Sequence, residues 1–277
     1  MKTETQRAKA KRFLDLHTGG RLLVLPNAWD AGSARIFEQV GFQALGSTSA
    51  GIALSLGCPD GERVSRSEML EAVRRIASAV AIPVTADLEA GYGPTVNDSV
   101  ETVRGAIAAG AVGMNLEDST SDDRLVDVTA YVERIRAIKK VAEAERIAFV
   151  LNARTDVFLL GVGEPAGRFD AAVRRANAYR EAGAECLFVP GVTDAEMIGR
   201  LVRAIKGPLN VLAGRGTPPT AELERLGVAR VSVGGGPMRA ALTLTQRVAQ
   251  ELRERGTYTS FTENALPLRD FNRLFDR

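Results

Sequence analysis

The sequence predicts an α/β protein built as a (β/α)8 TIM-type barrel with an N-terminal helix and a C-terminal helical tail. Three observations carry this. Short, apolar, β-branched runs alternate with longer amphipathic segments about eight times along 277 residues. The runs are continuously apolar, the pattern of a parallel sheet covered on its faces. No Gly/Ser/Pro-rich linker interrupts the series, and a barrel of roughly 250 residues suits this length. A doubly wound open sheet is the alternative with the same alternation.

The elements follow in order. Lys2–Leu16 reads as a helix preceding the barrel, and Leu22–Leu25 as the first strand. Pro26-Asn27-Ala28-Trp29-Asp30-Ala31 leads into a helix that Asp30 is placed to cap, with Trp29, the sole tryptophan, placed to wall a pocket. Ala44–Ser47, Pro83–Asp87, Gly113–Glu117, Ile147–Ala153, Cys186–Val189, Leu209–Leu212 and Arg230–Val233 continue the strands. Between them, Arg66–Ala79, Thr95–Ala109, Thr129–Ala144, Ala171–Ala182 and Asp194–Ala204 have helical apolar spacing. Ala109-Gly110, Ala182-Gly183 and Leu226-Gly227 are glycine helix stops. The tail, Gly256–Arg277, carries Phe261, Leu266, Leu268, Phe271, Leu274 and Phe275, too much apolar surface to stay wet. It is expected to fold back on its own barrel or onto another subunit. One domain over residues 1–277 is expected, barrel about 20–255 and extension about 256–277.

Composition sets the partners. The net charge is +2, and lysines and arginines are spread along the helices, so neither nucleic acid nor an acidic membrane surface is indicated. Cys58 and Cys186 are far apart and in no metal-ligand spacing, which makes a reducing cytoplasm the default. Met1–Arg12 is basic and polar with no apolar signal core, and no run approaches a membrane span. A soluble cytoplasmic protein is expected.

The chemistry lies at the strand ends. In Ala86-Asp87-Leu88-Glu89-Ala90-Gly91-Tyr92-Gly93 the alternation of an extended strand points Asp87 and Glu89 to the same side, just before a glycine turn. Met114-Asn115-Leu116-Glu117-Asp118 repeats the arrangement, and Asp60 lies in the loop after the second strand. Carboxylates gathered in this way repel unless a cation or proton lies between them. Oxygen donors without a nearby histidine favour Mg²⁺ or Mn²⁺ over zinc, and magnesium keeps several waters. Helix capping or arginine pairing is the plainer reading of any single acid.

In Asn152-Ala153-Arg154-Thr155-Asp156 the arginine would face the barrel mouth, where its fork can grip a carboxylate or phosphonate. An ion pair with Asp156 or Glu117 is the alternative. Ser47-Thr48-Ser49 offers hydroxyls and backbone N–H groups to an anion. Tyr92 is placed to put its phenol over the site. His17, the only histidine, is expected at the surface, Cys186 in the core, and Arg215 in solvent.

Together, PNAWDAGSARI, GSTSAGIA, LGCPDGE, ADLEAGYG, NLEDS and NARTDVF resemble the isocitrate lyase/phosphoenolpyruvate mutase superfamily, over roughly Leu22 to Leu244. The resemblance implies a Mg²⁺-dependent barrel that binds 2-oxo acids or their enolates and makes or breaks C–C or P–C bonds beside the carbonyl. It implies a final helix swapped between subunits in a homotetramer, a dimer of dimers. By motif it makes Asp87 the direct metal ligand and Asp60, Glu89 and Glu117 the holders of the metal's waters. Ser47, Thr48 and Ser49 then receive the substrate carboxylate and Arg154 faces the same substrate, with Trp29 and Asn152 beside it. Arg154, Tyr92 and Glu117 are the candidates for catalysis.

The departures narrow the activity. Isocitrate and methylisocitrate lyases carry KKCGH after the fourth strand; here Ser119-Thr120-Ser121-Asp122-Asp123-Arg124-Leu125 holds no Cys, Lys or His. Where the mutase has a histidine after the sixth strand, this chain has Pro190. The expectation is a C–C lyase or decarboxylase acting on a small 2-oxo or 2-hydroxy di- or tricarboxylate through an enolate. A phosphonopyruvate hydrolase or mutase-like enzyme and a non-catalytic oxo-acid-binding barrel are the alternatives.

Overall fold

The computed structural model describes residues 2–120, 122–263 and 265–276, of which 2–4 are described by backbone alone. Ser121 of the short loop and Arg277 of the tail lie outside these residues. The strands are β1 Leu23–Leu25, β2 Asn27–Ala28, β3 Leu45–Ser47, β4 Val84–Asp87, β5 Gly113–Glu117, β6 Val150–Arg154, β7 Cys186–Phe188, β8 Leu209–Leu212 and β9 Arg230–Ser232. All neighbouring pairs are parallel, in the order β1-β9-β8-β7-β6-β5-β4-β3-β2. Pro26 separates β1 from β2; it has no N–H to give a ladder, so a further short strand follows the one predicted over Leu22–Leu25. β1 pairs with β9 and β2 with β3, which closes the ring.

The helices are α1 Lys2–Thr18, α2 Ala31–Val40, α3 Ser49–Ser55, α4 Arg66–Ala79, α5 Val96–Ala108, α6 Val128–Ala144, α7 Arg168–Glu181, α8 Ala195–Ala204, α9 Thr220–Arg225, α10 Gly236–Glu254, α11 Thr259–Thr262 and α12 Leu268–Phe275. Their starts are chemically marked. Asp30, Ser65 and Thr95 each accept from the third helical N–H, and Ser33, Glu68 and Asp98 return the bond in capping boxes. α4 buries Met69, Val73 and Ile76, a stripe at helical spacing against the barrel wall.

α1 closes the end of the barrel opposite the acids. Ala10 and Phe13 are fully buried, and Gln6 donates to the carbonyls of Ile107 and Ala111 at 2.9 Å each. His17 sits in this plug, 5% exposed, contrary to its expected surface position. Its Nδ1 donates to the Phe13 carbonyl at 2.8 Å, and its ring stands edge-on to Phe13. Burial, and then the Arg230 charge, push its pKa down to about 4. An α1 too polar for a core helix by pattern still buries the face that carries Phe13 and His17.

The tail folds back on its own barrel, the first of the two expectations. α12 returns to α2, where the Arg35 guanidinium donates to the Leu274 carbonyl at 3.3 Å. Leu266, Leu268, Phe271 and Phe275 nevertheless stay exposed, as do Leu242, Leu244 and Leu252 of α10. Among the described residues, no helix is long and apolar enough to cross a membrane.

Candidate active site

A cavity of about 520 Å³ opens where the strands end and runs down into the barrel. Asp60, Asp87, Glu89, Glu117, Ser47, Thr48, Ser49, Asn152 and Arg154 all line it. Parallel strands bring their C-terminal residues to one rim, which is why acids distant in sequence share this space.

Asp87 is the hub. Its Oδ2 accepts from the Ser49 backbone N–H at 3.0 Å and the Ser49 hydroxyl at 2.9 Å, and its Oδ1 accepts from Asn115 at 2.9 Å. Its own N–H donates to Ser47 Oγ at 2.8 Å. Ser49 opens α3, whose N-cap is Thr48, so a helix N-terminus faces the carboxylate and favours its negative charge. Gly51 makes this turn possible, since a Cβ there would lie 2.5 Å from the Thr48 methyl and 2.9 Å from Trp29 Cβ. Ser47 and Ser49 therefore grip Asp87 before any substrate arrives, while Thr48 Oγ1 caps α3 and the Ser47 hydroxyl proton stays available to a ligand.

Glu89 is held in a strained lock. Glu62, Glu89 and Tyr92 all have positive φ, at 54°, 49° and 58°, a conformation that side-chain-bearing residues adopt at a cost and that clusters at functional sites. The Glu62 N–H donates to Glu89 Oε2 at 2.5 Å, the Tyr92 N–H to Glu62 Oε1 at 2.8 Å, and the Tyr92 hydroxyl to Glu89 Oε1 at 3.1 Å. Tyr92 thus stands behind Glu89 and does not line the cavity, correcting its expected place over the site. Burial above all pushes the Glu89 pKa up to about 7, with Asp87 and Asp60 adding to the rise. Burial and then Asp87 raise Asp60 as well.

Arg154 takes the ion-pair alternative. Its Nε donates to Asp156 Oδ1 at 2.6 Å, its Nη1 pairs with Glu117, and it lies 5.8 Å from the Phe188 ring centre. Glu117 stays well above the ordinary carboxylate range because burial, Asp87, Asp156 and Glu89 outweigh the arginine. Asp118, next in sequence, turns the other way. It is fully buried, accepts from Arg175 Nε and Tyr179 Oη at 2.6 Å each, and takes the Asp156 N–H at 2.9 Å. This network braces the end of β5 at Glu117 against the residues that follow β6 at Asp156.

The residues fit a hydrated divalent ion. Among the described residues, no three His, Cys, Asp or Glu side chains are gathered into an all-protein cage. Yet Asp60, Glu89 and Glu117 have raised pKa values in part because Asp87 shares their cavity. Such mutual repulsion is relieved by a cation, and Mg²⁺ needs only one or two direct carboxylates when the rest hold its waters.

Trp29 lines a separate cavity of about 470 Å³ with Ile52, Leu56 and Arg75, correcting its expected place beside the substrate. Asn152 lines the cavity but spends its amide N–H on Asn115 Oδ1 at 2.9 Å. Asn27, Asn115, Arg230 and Arg239, which the strand-end pattern does not single out, also line it. Asn27 ties β2 to both neighbours, donating to the Ser47 carbonyl at 2.7 Å and accepting from the Val233 and Gly234 N–H groups at 2.9 Å each. A polar residue inside an apolar strand was the available signal. Arg215 is exposed and Cys186 fully buried, as expected.

A parallel barrel with acids, hydroxyls and an arginine around one rim cavity defines an enzyme of the (β/α)8 class. The chain belongs to the phosphoenolpyruvate phosphomutase family, whose model matches residues 13–253, within the isocitrate lyase/phosphoenolpyruvate mutase superfamily. It is 32% identical over 244 residues to the 2-methylisocitrate lyase of Escherichia coli, covering 83% of this chain and 80% of that one. A Burkholderia cenocepacia structure with a provisional lyase/mutase name superposes with a TM-score of 0.92 at 42% identity, covering 99% of this chain and 98% of that one. A phosphonopyruvate hydrolase in complex with oxalate and Mg²⁺ superposes with a TM-score of 0.85 at 27% identity, covering 96% and 94%.

Proposed function

We propose that the protein cleaves a C–C bond beside the carbonyl of a small 2-oxo or 2-hydroxy di- or tricarboxylate, as a lyase or decarboxylase requiring Mg²⁺ or Mn²⁺. The observation that carries this is the meeting of Asp60, Asp87, Glu89 and Glu117 with the Ser47–Ser49 turn in one cavity of about 520 Å³. Asp87 is the direct ligand, and Asp60, Glu89 and Glu117 hold the ion's waters. The bound ion supplies Lewis-acid stabilisation of the negative oxygen that develops at the substrate's carbonyl. Ser47 donates its free hydroxyl to the substrate carboxylate. Arg154, fixed by Asp156 and Glu117, presents its remaining N–H groups to the same anion without having to be ordered first.

Glu117 takes the place of the absent Cys/Lys/His loop. A buried carboxyl that binds a proton more tightly than usual can return it to the departing enolate carbon. The loop after β5 closes on itself, with Ser119 and Leu125 bridged and the Ser119 hydroxyl on Asp156 at 2.7 Å, and its own acids, Asp122 and Asp123, are exposed and do not line the cavity. The exposed apolar side chains of α10 and of the tail support assembly into an oligomer, a dimer of dimers by the family resemblance.

The phosphonopyruvate hydrolase likeness favours a second reading, P–C cleavage in the same site. A substrate panel of malate-type acids, citrate-type acids, oxaloacetate and phosphonopyruvate, with and without Mg²⁺, separates them. The proposal expects Mg²⁺-dependent 2-oxo-acid formation or CO₂ release from a carboxylate. Phosphate release from phosphonopyruvate alone selects the second reading. No turnover with metal present rejects both and favours a barrel that only binds oxo acids.

A further inference from the structure

Arg230 enters the same cavity from β9 and is 3% exposed. Among the described residues its guanidinium makes no hydrogen bond or ion pair, and Nε and Nη1 are buried without a partner. Arginine keeps its proton inside proteins, so this is a permanent positive charge, and an unpaired buried charge is costly. The cost has to be met by charge at a distance. Asp87 and Cys186 are the groups whose fields favour it, and Cys186 is neutral because burial pushes its thiol up to about 11. His17, whose pKa Arg230 lowers, is neutral as well.

A second observation points the same way. Asp87, Asn115, Asn152 and Cys186 stand in register on four adjacent strands. Asn152 donates to Asn115 and Asn115 donates to Asp87, at 2.9 Å each, so both amide dipoles present their positive ends toward the carboxylate. The far end of this relay, Asn152 Oδ1, is buried and bare. An amide pair polarised in this sense favours negative charge at Asp87, and Arg230 is, among the described residues, a buried cation of the same cavity that no carboxylate pairs.

We propose that Arg230, buried and unpaired in the same cavity, is a built-in counter-charge of the carboxylate cluster and sets how tightly the cluster takes a divalent cation. The inference rests on the divalent-ion reading of the cavity proposed above. Arg230 offsets part of the acids' mutual repulsion in the metal-free protein and repels the incoming ion. A neutral side chain there leaves the acids with more need of a metal.

Mn²⁺ titration, followed by electron paramagnetic resonance at pH 7 and fixed ionic strength, tests this in wild type, Arg230→Met, Arg230→Gln and Arg230→Lys. The neutral variants are expected to bind Mn²⁺ about tenfold or more tightly than wild type. Arg230→Lys, which restores the charge, is expected to stay within about twofold of wild type. Arg230→Gln is a second neutral variant and serves if Arg230→Met fails to fold. Neutral variants that bind Mn²⁺ equally or more weakly overturn the proposal and leave the metal reading standing. Folded wild type that takes up no Mn²⁺ overturns the metal reading, and this inference with it.

Discussion

Replacing Glu89 by glutamine tests whether the acids carry an electrostatic cost in the metal-free protein. The pKa of Glu89 is pushed up from 4.5 to about 7, chiefly by burial. A carboxyl whose folded-state pKa is raised holds its proton more tightly in the native state. Its contribution is therefore most favourable below pH 4.5 and is lost as pH rises through the window from 4.5 to about 7. The full shift corresponds to roughly 3 kcal/mol by the linkage relation. Glutamine keeps the shape, accepts from the Glu62 N–H through its oxygen, and can donate to the Tyr92 hydroxyl, which rotates to accept. Glu89→Gln is thus expected to be about 1–3 kcal/mol more stable than wild type at pH 8 without divalent ions, and about equal at pH 4.5. Urea unfolding at both pH values, with and without 10 mM-range Mg²⁺, checks this. Added Mg²⁺ is expected to shrink the difference at pH 8 by stabilising wild type preferentially. A variant no more stable than wild type at pH 8, or a difference that grows toward acid, refutes the reasoning.

Two further substitutions probe the scaffold. Arg175→Met leaves Asp118, fully buried, without its cation, and is expected to cost about 3–5 kcal/mol in chemical denaturation; a loss under 1 kcal/mol means the network is not holding the end of β5. Gly93 has φ 147°, and a Cβ there would meet the Asp98 carboxyl carbon at 2.3 Å. Gly93→Ala should therefore break the Thr95–Asp98 capping box and cost about 2–4 kcal/mol, and an unchanged melting temperature contradicts this.

Legibility in the sequence followed the physics of each signal. Arg66–Ala79 and Gly113–Glu117 were readable to the residue, the helix because Ser65 and Glu68 mark its start and the strand because Gly110 stops the preceding helix. The run from Ile147 read as strand from its apolar character, but pairing begins only at Val150, because hydrophobicity marks burial and not hydrogen bonding. The acids at the cavity were legible because a parallel barrel sends every strand end to one rim. Tyr92 and Trp29 were misplaced because their directions depend on backbone geometry: a positive φ at Tyr92, and a helix start after Trp29. Arg230 was invisible as a cavity residue, since an arginine opening a strand looks like an exposed rim charge and only the closed ring turns it inward.

The central claim is that Asp87 anchors a divalent ion. Isothermal titration of wild type and Asp87→Ala with Mn²⁺ measures it most directly. One equivalent bound by wild type and at least a hundredfold weaker uptake by the folded variant is the predicted result, on the order of 3 kcal/mol for losing the direct carboxylate. Equal binding by the two proteins would contradict it.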